Sequence, residues 1–489
     1  MGRRIIASKQ TLPGSFSAMS QNLRRLGAVS AILCLLSARS GNAEVTLPNL
    51  PAGTEYQLIF MTDEAIGTTG TMISEYNSFV AASAMKSPTL QALASSDVEW
   101  RAIASTFQVS ANINAPSAGL VFNTAGQQVA STARSLYSGT SLFAPVNFNQ
   151  YGNQVAKDMA TGSDRFGNKI FFTQTQDGGP LGYLTYVQLG NYDGWSSATW
   201  LQNGSKGANA YSGRSLYALS SAITTPLQLS VASGVQTQSQ AGYPVLSGAI
   251  PFQKVGGGTL VLDKNNSLTG RTTVQGGRLR ISNEASLVSS RVVPLVGGTL
   301  TLSAGLKTTV GGLDPNAGGL TDVGNGLMTV ATGLSAADVT GALFNGRDNG
   351  SWLGARGITS SRVVADNAAG VTRAVGWLDN GDASITVAYA APGDTNLDWR
   401  IDVVDAANFV AGGKFDTGLP ANWSEGDFNY DGIVDIQDAA DFSATGLYNE
   451  SAYNAAASFA AVPEPGTTFL ALAGLACGGY SMFRRRRAR

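Results

Sequence analysis

Two stretches of this chain carry oxygen side chains at spacings that could hold a metal ion. They are Gly393–Gly413 (GDTNLDWRIDVVDAANFVAGG) and Gly426–Gly446 (GDFNYDGIVDIQDAADFSATG), which align without a gap. Counted from the first aspartate, each places an oxygen at loop positions 1, 3, 5, 9 and 12. In the first loop these are Asp394, Asn396, Asp398, Asp402 and Asp405; in the second, Asp427, Asn429, Asp431, Asp435 and Asp438. Calcium is a hard cation that takes about 6–8 oxygens, and a 12-residue loop of this spacing wraps one ion. Position 7 would add a backbone carbonyl, from Arg400 and Ile433. An acidic, solvated linker is the competing reading. Five matched positions recurring in register weigh against it. The runs after position 12 (Asp405-Ala-Ala-Asn-Phe and Asp438-Ala-Ala-Asp-Phe) read as short helices, with Phe409 and Phe442 packing the two halves together.

The rest of the chain has to position these loops, and its composition bounds how. A chain of 489 residues has room for about two or three domains. Charged residues make up only 13% and glycine 59 positions, which suits an all-β, turn-rich surface protein. All acidic residues lie between Glu44 and Glu464, where 33 of them face 21 basic residues. An acidic body argues against a nucleic-acid partner. The sequence has no histidine, which excludes a Ser-His-Asp or Cys-His site and a His-ligated zinc. Its two cysteines, Cys34 and Cys477, both sit in apolar, membrane-directed segments, so the exterior is expected to lack disulfides. No catalytic constellation emerges, and the chain reads as a non-enzyme.

Residues 1–43 read as a secretory signal: Arg24-Arg25, an apolar core Leu26–Leu36, then Gly41-Asn42-Ala43 before a cut at Glu44, with Met1 or Met19 as the start. Residues 44–230 form a first globular region. It holds a strand over Tyr56–Thr62, a helix over Ser74–Ala84, and strand-like runs at Glu99–Ser105, Val121–Ala130, Ile170–Thr175, Trp195–Ser197 and Arg214–Ser220. Tyr183, Tyr186, Tyr192, Trp195 and Trp200 could form a sugar-stacking platform or, the commoner case, core and rim of a β fold. Asp63-Glu64 and Asp158/Asp164 could serve as glycosidase carboxylates, although nothing around them singles them out.

In residues 250–330 a Gly-Gly turn and an alternating strand recur: Gly257–Leu262, Gly276–Ile281 and Gly297–Leu302, with a degenerate Asn325–Val330. Such repeats stack as a β-solenoid or a short sandwich. Residues 331–390 connect onward, with a helix from Ser335 through Phe344 and a hairpin, Arg373–Leu378 and Ser384–Tyr389, about an Asn-Gly turn. At the C-terminal end Val462-Pro463-Glu464-Pro465 precedes an apolar run, Thr467–Phe483, and a terminal arginine cluster. The run is just long enough for a transmembrane helix with its basic end in the cytoplasm.

Four resemblances follow from these residues. The duplicated loop and helix of 391–450, with Asp at position 12, resembles a type I dockerin. Trp399 departs from that pattern by standing where Gly432 sits in the second loop, which is expected to weaken the first site. Val403-Val404 and Ile436-Gln437 replace the hydroxyl residues with which dockerins grip a cohesin, so calcium carries over better than a cohesin-like partner. The order of motifs in 44–230 resembles endostatin-like and C-type-lectin-like exported domains, without their cysteine pairs. Val255–Leu279 resembles the autotransporter-associated β-strand repeat, an elongated stalk. The Pro-Glu-Pro, apolar run and basic end of 462–489 resemble the PEP-CTERM sorting signal, which implies exosortase-type processing, an inner-membrane intermediate and an exopolysaccharide-rich surface. The expected architecture is mainly β and multidomain. It comprises an α+β N-terminal domain, a β-repeat middle at 250–330, a small helical calcium module and a C-terminal transmembrane helix. The expected role is that of a structural or adhesive surface or matrix protein, with glycan binding or polysaccharide-degradation assembly as the alternative.

Overall fold

Strand Glu55–Met61 (EYQLIFM) is buried from its second residue to its last, so it needs cover on both faces. Leu58 and Phe60 point into one core, with Tyr76, Val80 and Ala84 of the helix Ile73–Ala84. Ile59 and Met61 point into a second core with Val121, Trp200 and Tyr217. That alternation is the period-2 geometry of a central strand. Glu55–Met61 pairs in parallel with Leu120–Asn123 and antiparallel with Tyr217–Ser220, which in turn pairs with Trp100–Ala102. This is the structure of a computed structural model; it describes residues 44–94, 97–170, 178–182, 186–204 and 207–454. The expected signal, the strand at 170–175 beyond Ile170, Tyr183, both cysteines and the sorting tail with its apolar run lie outside these residues. Among the described residues no helix is long and apolar enough to cross a membrane.

Three expectations for this region need correction. The run Val121–Ala130 is not one strand. It folds back at Gly126 (φ +78°) into an antiparallel pair, Leu120–Asn123 with Gln128–Ala130. The Asn123 carboxamide oxygen accepts the N–H groups of Ala125 and Gln127 and so fixes that turn. Trp195–Ser197 lies in a turn, and Arg214–Ser220 narrows to the strand Tyr217–Ser220.

The middle of the chain is a parallel β-solenoid of about five turns. Two sheets run along it. In one, Leu227 stands beside Phe252, Phe252 beside Thr272, Thr272 beside Val292, and Gly312 beside Thr332. The other is built from the Gly-Gly strands, and its inward column reads Leu260, Leu279, Leu300, Thr321 and Ile358, all fully buried. Each turn consumes about 20 residues and buries its apolar face only against its neighbours. Asn325–Val330 is not a fourth member of the glycine series. Its strand, Leu327–Thr332, belongs to the opposite sheet, beside Lys307–Leu313.

Residues 331–390 supply the end of the solenoid. Helix Ala336–Arg347 opens with a capping box between Ser335 and Asp338, and its Gly346 packs against the backbone of Ile358 in the last strand of the glycine sheet. The hairpin Ala374–Asp379 and Ile385–Ala390 completes the other sheet, with Ile385–Ala390 running antiparallel to Leu327–Thr332. The paired loops then pack on this hairpin. One apolar core runs from Leu229 in the first turn to Leu397, Trp423 and Phe428 in the loop region.

Candidate metal centre

Each loop folds by feeding its own N–H groups to its own side chains, and the two do so almost identically. Asn396 Oδ1 accepts from Asp398 N at 3.0 Å, and Asp398 Oδ1 from Arg400 N at 2.8 Å. Thirty-three positions on, Asn429 Oδ1 accepts from Asp431 N at 2.8 Å, and Asp431 Oδ1 from Ile433 N at 3.0 Å. Asp402 and Asp435 are N-caps, accepting from Val404 N and Gln437 N, so position 9 starts the helices Val403–Ala411 and Ile436–Ala444. Asp405 and Asp438, at position 12, complete the capping boxes. Their other oxygens reach across to Thr395 N and Phe428 N at 2.8 Å each. Positions 4 and 6 are left-handed in both loops: Leu397 and Trp399 (φ +58° and +72°), then Tyr430 and Gly432 (φ +61° and +94°). Trp399 thus holds a left-handed backbone of the kind that favours glycine.

Position 1 distinguishes the two loops. Asp427 is nearly buried, and its carboxylate oxygens accept from Asp431 N and Gly432 N. Asp394 is fully buried. Its Oδ2 accepts from Trp399 N at 3.0 Å and from the Tyr453 hydroxyl at 2.5 Å, while its Oδ1 has no partner. Burial, and secondarily the nearby charge of Asp405, pushes the Asp394 carboxyl up to about 7; burial and Asp438 push Asp427 up to about 6. Among the described residues neither carboxyl forms an ion pair.

Among the described residues no three His, Cys, Asp or Glu side chains converge closely enough to hold a metal ion by themselves. A cation in these loops would have to draw on the mixed oxygen set, in which Asn396 and Asn429 stand among the aspartates. An all-oxygen set with a buried, unpartnered carboxylate oxygen fits a hard divalent cation.

The aromatic rings hold the loops together and to the solenoid. Phe442 of the second helix covers Gly393 at the head of the first loop, and Phe409 of the first helix covers Gly426 at the head of the second. Trp423 donates to Asp394 O at 2.7 Å and lies so close to Gly376 of the solenoid hairpin that a Cβ there would stand 2.6 Å from the ring. The Tyr430 hydroxyl donates to Val375 O. Sequence reasoning missed Tyr453 and Trp423, because neither belongs to the duplicated pattern.

The other candidates do not assemble. Of the aromatic set Tyr183, Tyr186, Tyr192, Trp195 and Trp200, Trp200 is only 2% exposed and packs edge-on against Tyr217, so it is a core residue and not part of a sugar platform. Glu64 is taken up by Lys86, Ser83 and Gln150, and Asp63 pairs with Lys157 at 3.5 Å. Asp164 is spent on its own turn, accepting from Phe166 N and Asn168 N.

Two stretches match known families. Residues 252–281, in the early turns of the solenoid, match the passenger-associated-transport-repeat. Residues 461–487, which include Val462, Pro463, Glu464 and Pro465, match the PEP-CTERM protein-sorting motif. No curated protein matches the chain. The sorting motif implies processing by exosortase machinery and export to the cell envelope or surface. Together the two matches point to an exported surface protein with a passenger-like β-repeat region.

Proposed function

We propose that this exported protein has a structural or adhesive role at the cell surface or in the extracellular matrix, and that calcium stabilises the C-terminal end of its solenoid. The observation that carries the reading is Asp394, fully buried beneath the solenoid hairpin with an unpartnered carboxylate oxygen. Asp394, Asn396, Asp398, Asp402, Asp405 and the Arg400 carbonyl would hold one ion. Asp427, Asn429, Asp431, Asp435, Asp438 and the Ile433 carbonyl would hold a second. Bound calcium supplies the positive charge that eight loop aspartates lack, and an ion that binds only the folded chain stabilises it. The dockerin-like likeness supports calcium. The reading is non-enzymatic, consistent with a sequence that has no histidine.

A second reading, assembly through the loop module, is favoured by one observation. Val403, Val404 and Val410 on the first helix and Ile436 on the second are all at least half exposed, an unusual apolar outer face. The partner would be a protein with a matching apolar surface.

The test is calorimetric titration of calcium into the full-length chain, with thermal melts in calcium and in chelator. Two sites and a calcium-dependent transition are expected. Asp431→Ala with Asp438→Ala should mimic chelation at the second loop, making that loop protease-sensitive in calcium. Absence of binding would reject the calcium reading and leave export and sorting intact.

A further inference from the structure

The two loops are alike inside but differ in what lies around them. The first is clamped between the last solenoid strand and the chain's return. On one side the Trp399 indole donates to Tyr389 O at 3.0 Å, and Lys307 Nζ, from an inner solenoid strand, lies 4.3 Å from its ring centroid. On the other side the segment after the second helix comes back across the loop. Ile401 bridges Tyr448, Asn449 N donates to Ile401 O at 2.8 Å, and Tyr453 N donates to Trp399 O at 3.0 Å. That segment then ties into the solenoid itself. The Tyr453 hydroxyl accepts from Ala391 N, and Asn454 exchanges two hydrogen bonds with Asn325 at 2.8 and 3.1 Å. The second loop meets the solenoid through the Tyr430 side chain, which bonds Val375 O and packs against Trp352; its Asp431 turn faces solvent.

Resting on the calcium reading above, we propose that the first loop is the site through which calcium locks the end of the solenoid, with Trp399 as the positioning residue that transmits occupancy. The buried, unpartnered oxygen of Asp394 belongs to this loop, whereas the oxygens of Asp427 are both partnered. A cation that gathers Asp394, Asn396 and Asp398 fixes the backbone on which Trp399 N bonds Asp394 Oδ2. The same backbone fixes the indole against Tyr389 O and the carbonyl that receives Tyr453 N. The left-handed Trp399, which on the sequence alone weakens this site, is thus the side chain that joins the loop to the β-sheet by a hydrogen bond, beside the apolar packing of Leu397 on Gly376. In the second loop Gly432 holds the same position without a side chain and can transmit nothing.

Hydrogen exchange on the full-length chain, in calcium chloride and in chelator, tests this. Calcium is expected to slow exchange at least tenfold in Ile385–Ala390 and around Tyr453. Asp398→Ala, at an exposed position away from the solenoid, should abolish that effect. Its counterpart Asp431→Ala should keep it while losing one bound ion. Trp399→Gly should still bind two ions by calorimetry yet leave Ile385–Ala390 unprotected. If two ions bind and the strand's exchange does not change, or if Asp431→Ala removes the protection and Asp398→Ala does not, the proposed lock is wrong while the calcium reading stands. If calorimetry shows no binding, both fall together.

Discussion

Trp399 keeps a left-handed backbone that costs a bulky residue on the order of 1–2 kcal/mol. Its indole hydrogen bond and its packing under Lys307 offset that cost, so the substitution that looks like a defect in a metal loop is an anchor. Lys254 is a second residue whose role is set by its surroundings. It lies in the solenoid's inward column between Leu229 and Val274, fully buried, and its Nζ donates to Gly256 O and Gly276 O at 2.7 and 2.8 Å. Burial holds its pKa below the ordinary 10.5. Between that lowered value and 10.5 the unfolded chain binds the extra proton, so folding stability must rise with pH across that window. Urea melts from neutral pH to about 10.5 should show this gain in the native chain. Lys254→Met should show it reduced, and an identical pH profile in both would reject the assignment. The oxygen spacing of the metal loops was legible in the sequence because aspartate and asparagine satisfy N–H groups only a few positions away. Tyr453 was not, because its partner Asp394 lies far back in the chain and no local pattern marks the pair.

At the level of elements, the glycine-sheet strands could be read because each begins with a Gly-Gly turn and alternates after it. The opposite sheet carries no such punctuation. Thr272–Val274 and Arg291–Pro294 are short and lack the glycine pair, and their register appears only once the turns are stacked. The same gap explains the Asn325–Val330 error: glycine and alternation mark a strand, not the sheet it joins. The N-terminal region was harder still. Its hairpin at Gly126 turns through Asn123–Gln128 between two short apolar strands, and the Asn-x-x-Gly signature of the turn was there to be used. It recurs at Asn149–Gly152, and as Asp-x-x-Gly at Asp164–Gly167. The stacked column makes a direct prediction. Leu279 is fully buried between Leu260 and Leu300, and Leu279→Ala should cost about 2–5 kcal/mol in a denaturant titration. A loss below 1 kcal/mol, on the order of a surface change, would mean the column collapses to fill the gap.

At the scale of the described molecule, the repeats, the connecting region and the paired loops share one apolar core from Leu229 to Phe428. Helix Ala336–Arg347 covers one sheet at its last strand, and the hairpin 374–390 and the paired loops finish the other. Such cover matters because an open β edge presents unpaired N–H and C=O groups to any passing strand. Ending the chain after Val371 would remove the antiparallel hairpin and bare Leu327–Thr332. The shortened protein should form concentration-dependent oligomers by size-exclusion chromatography, whereas a monodisperse monomer would argue that the edge is harmless. The antiparallel hairpin also has a consequence in time. If the N-terminal end leaves the cell first, turn after turn can form outside while the stack still ends in a live edge. Only the hairpin 374–390, which emerges after the last parallel strand and ahead of the paired loops, reverses direction and closes it. The protein would then be finished at its exit, at the moment its loops first meet the medium outside the cell.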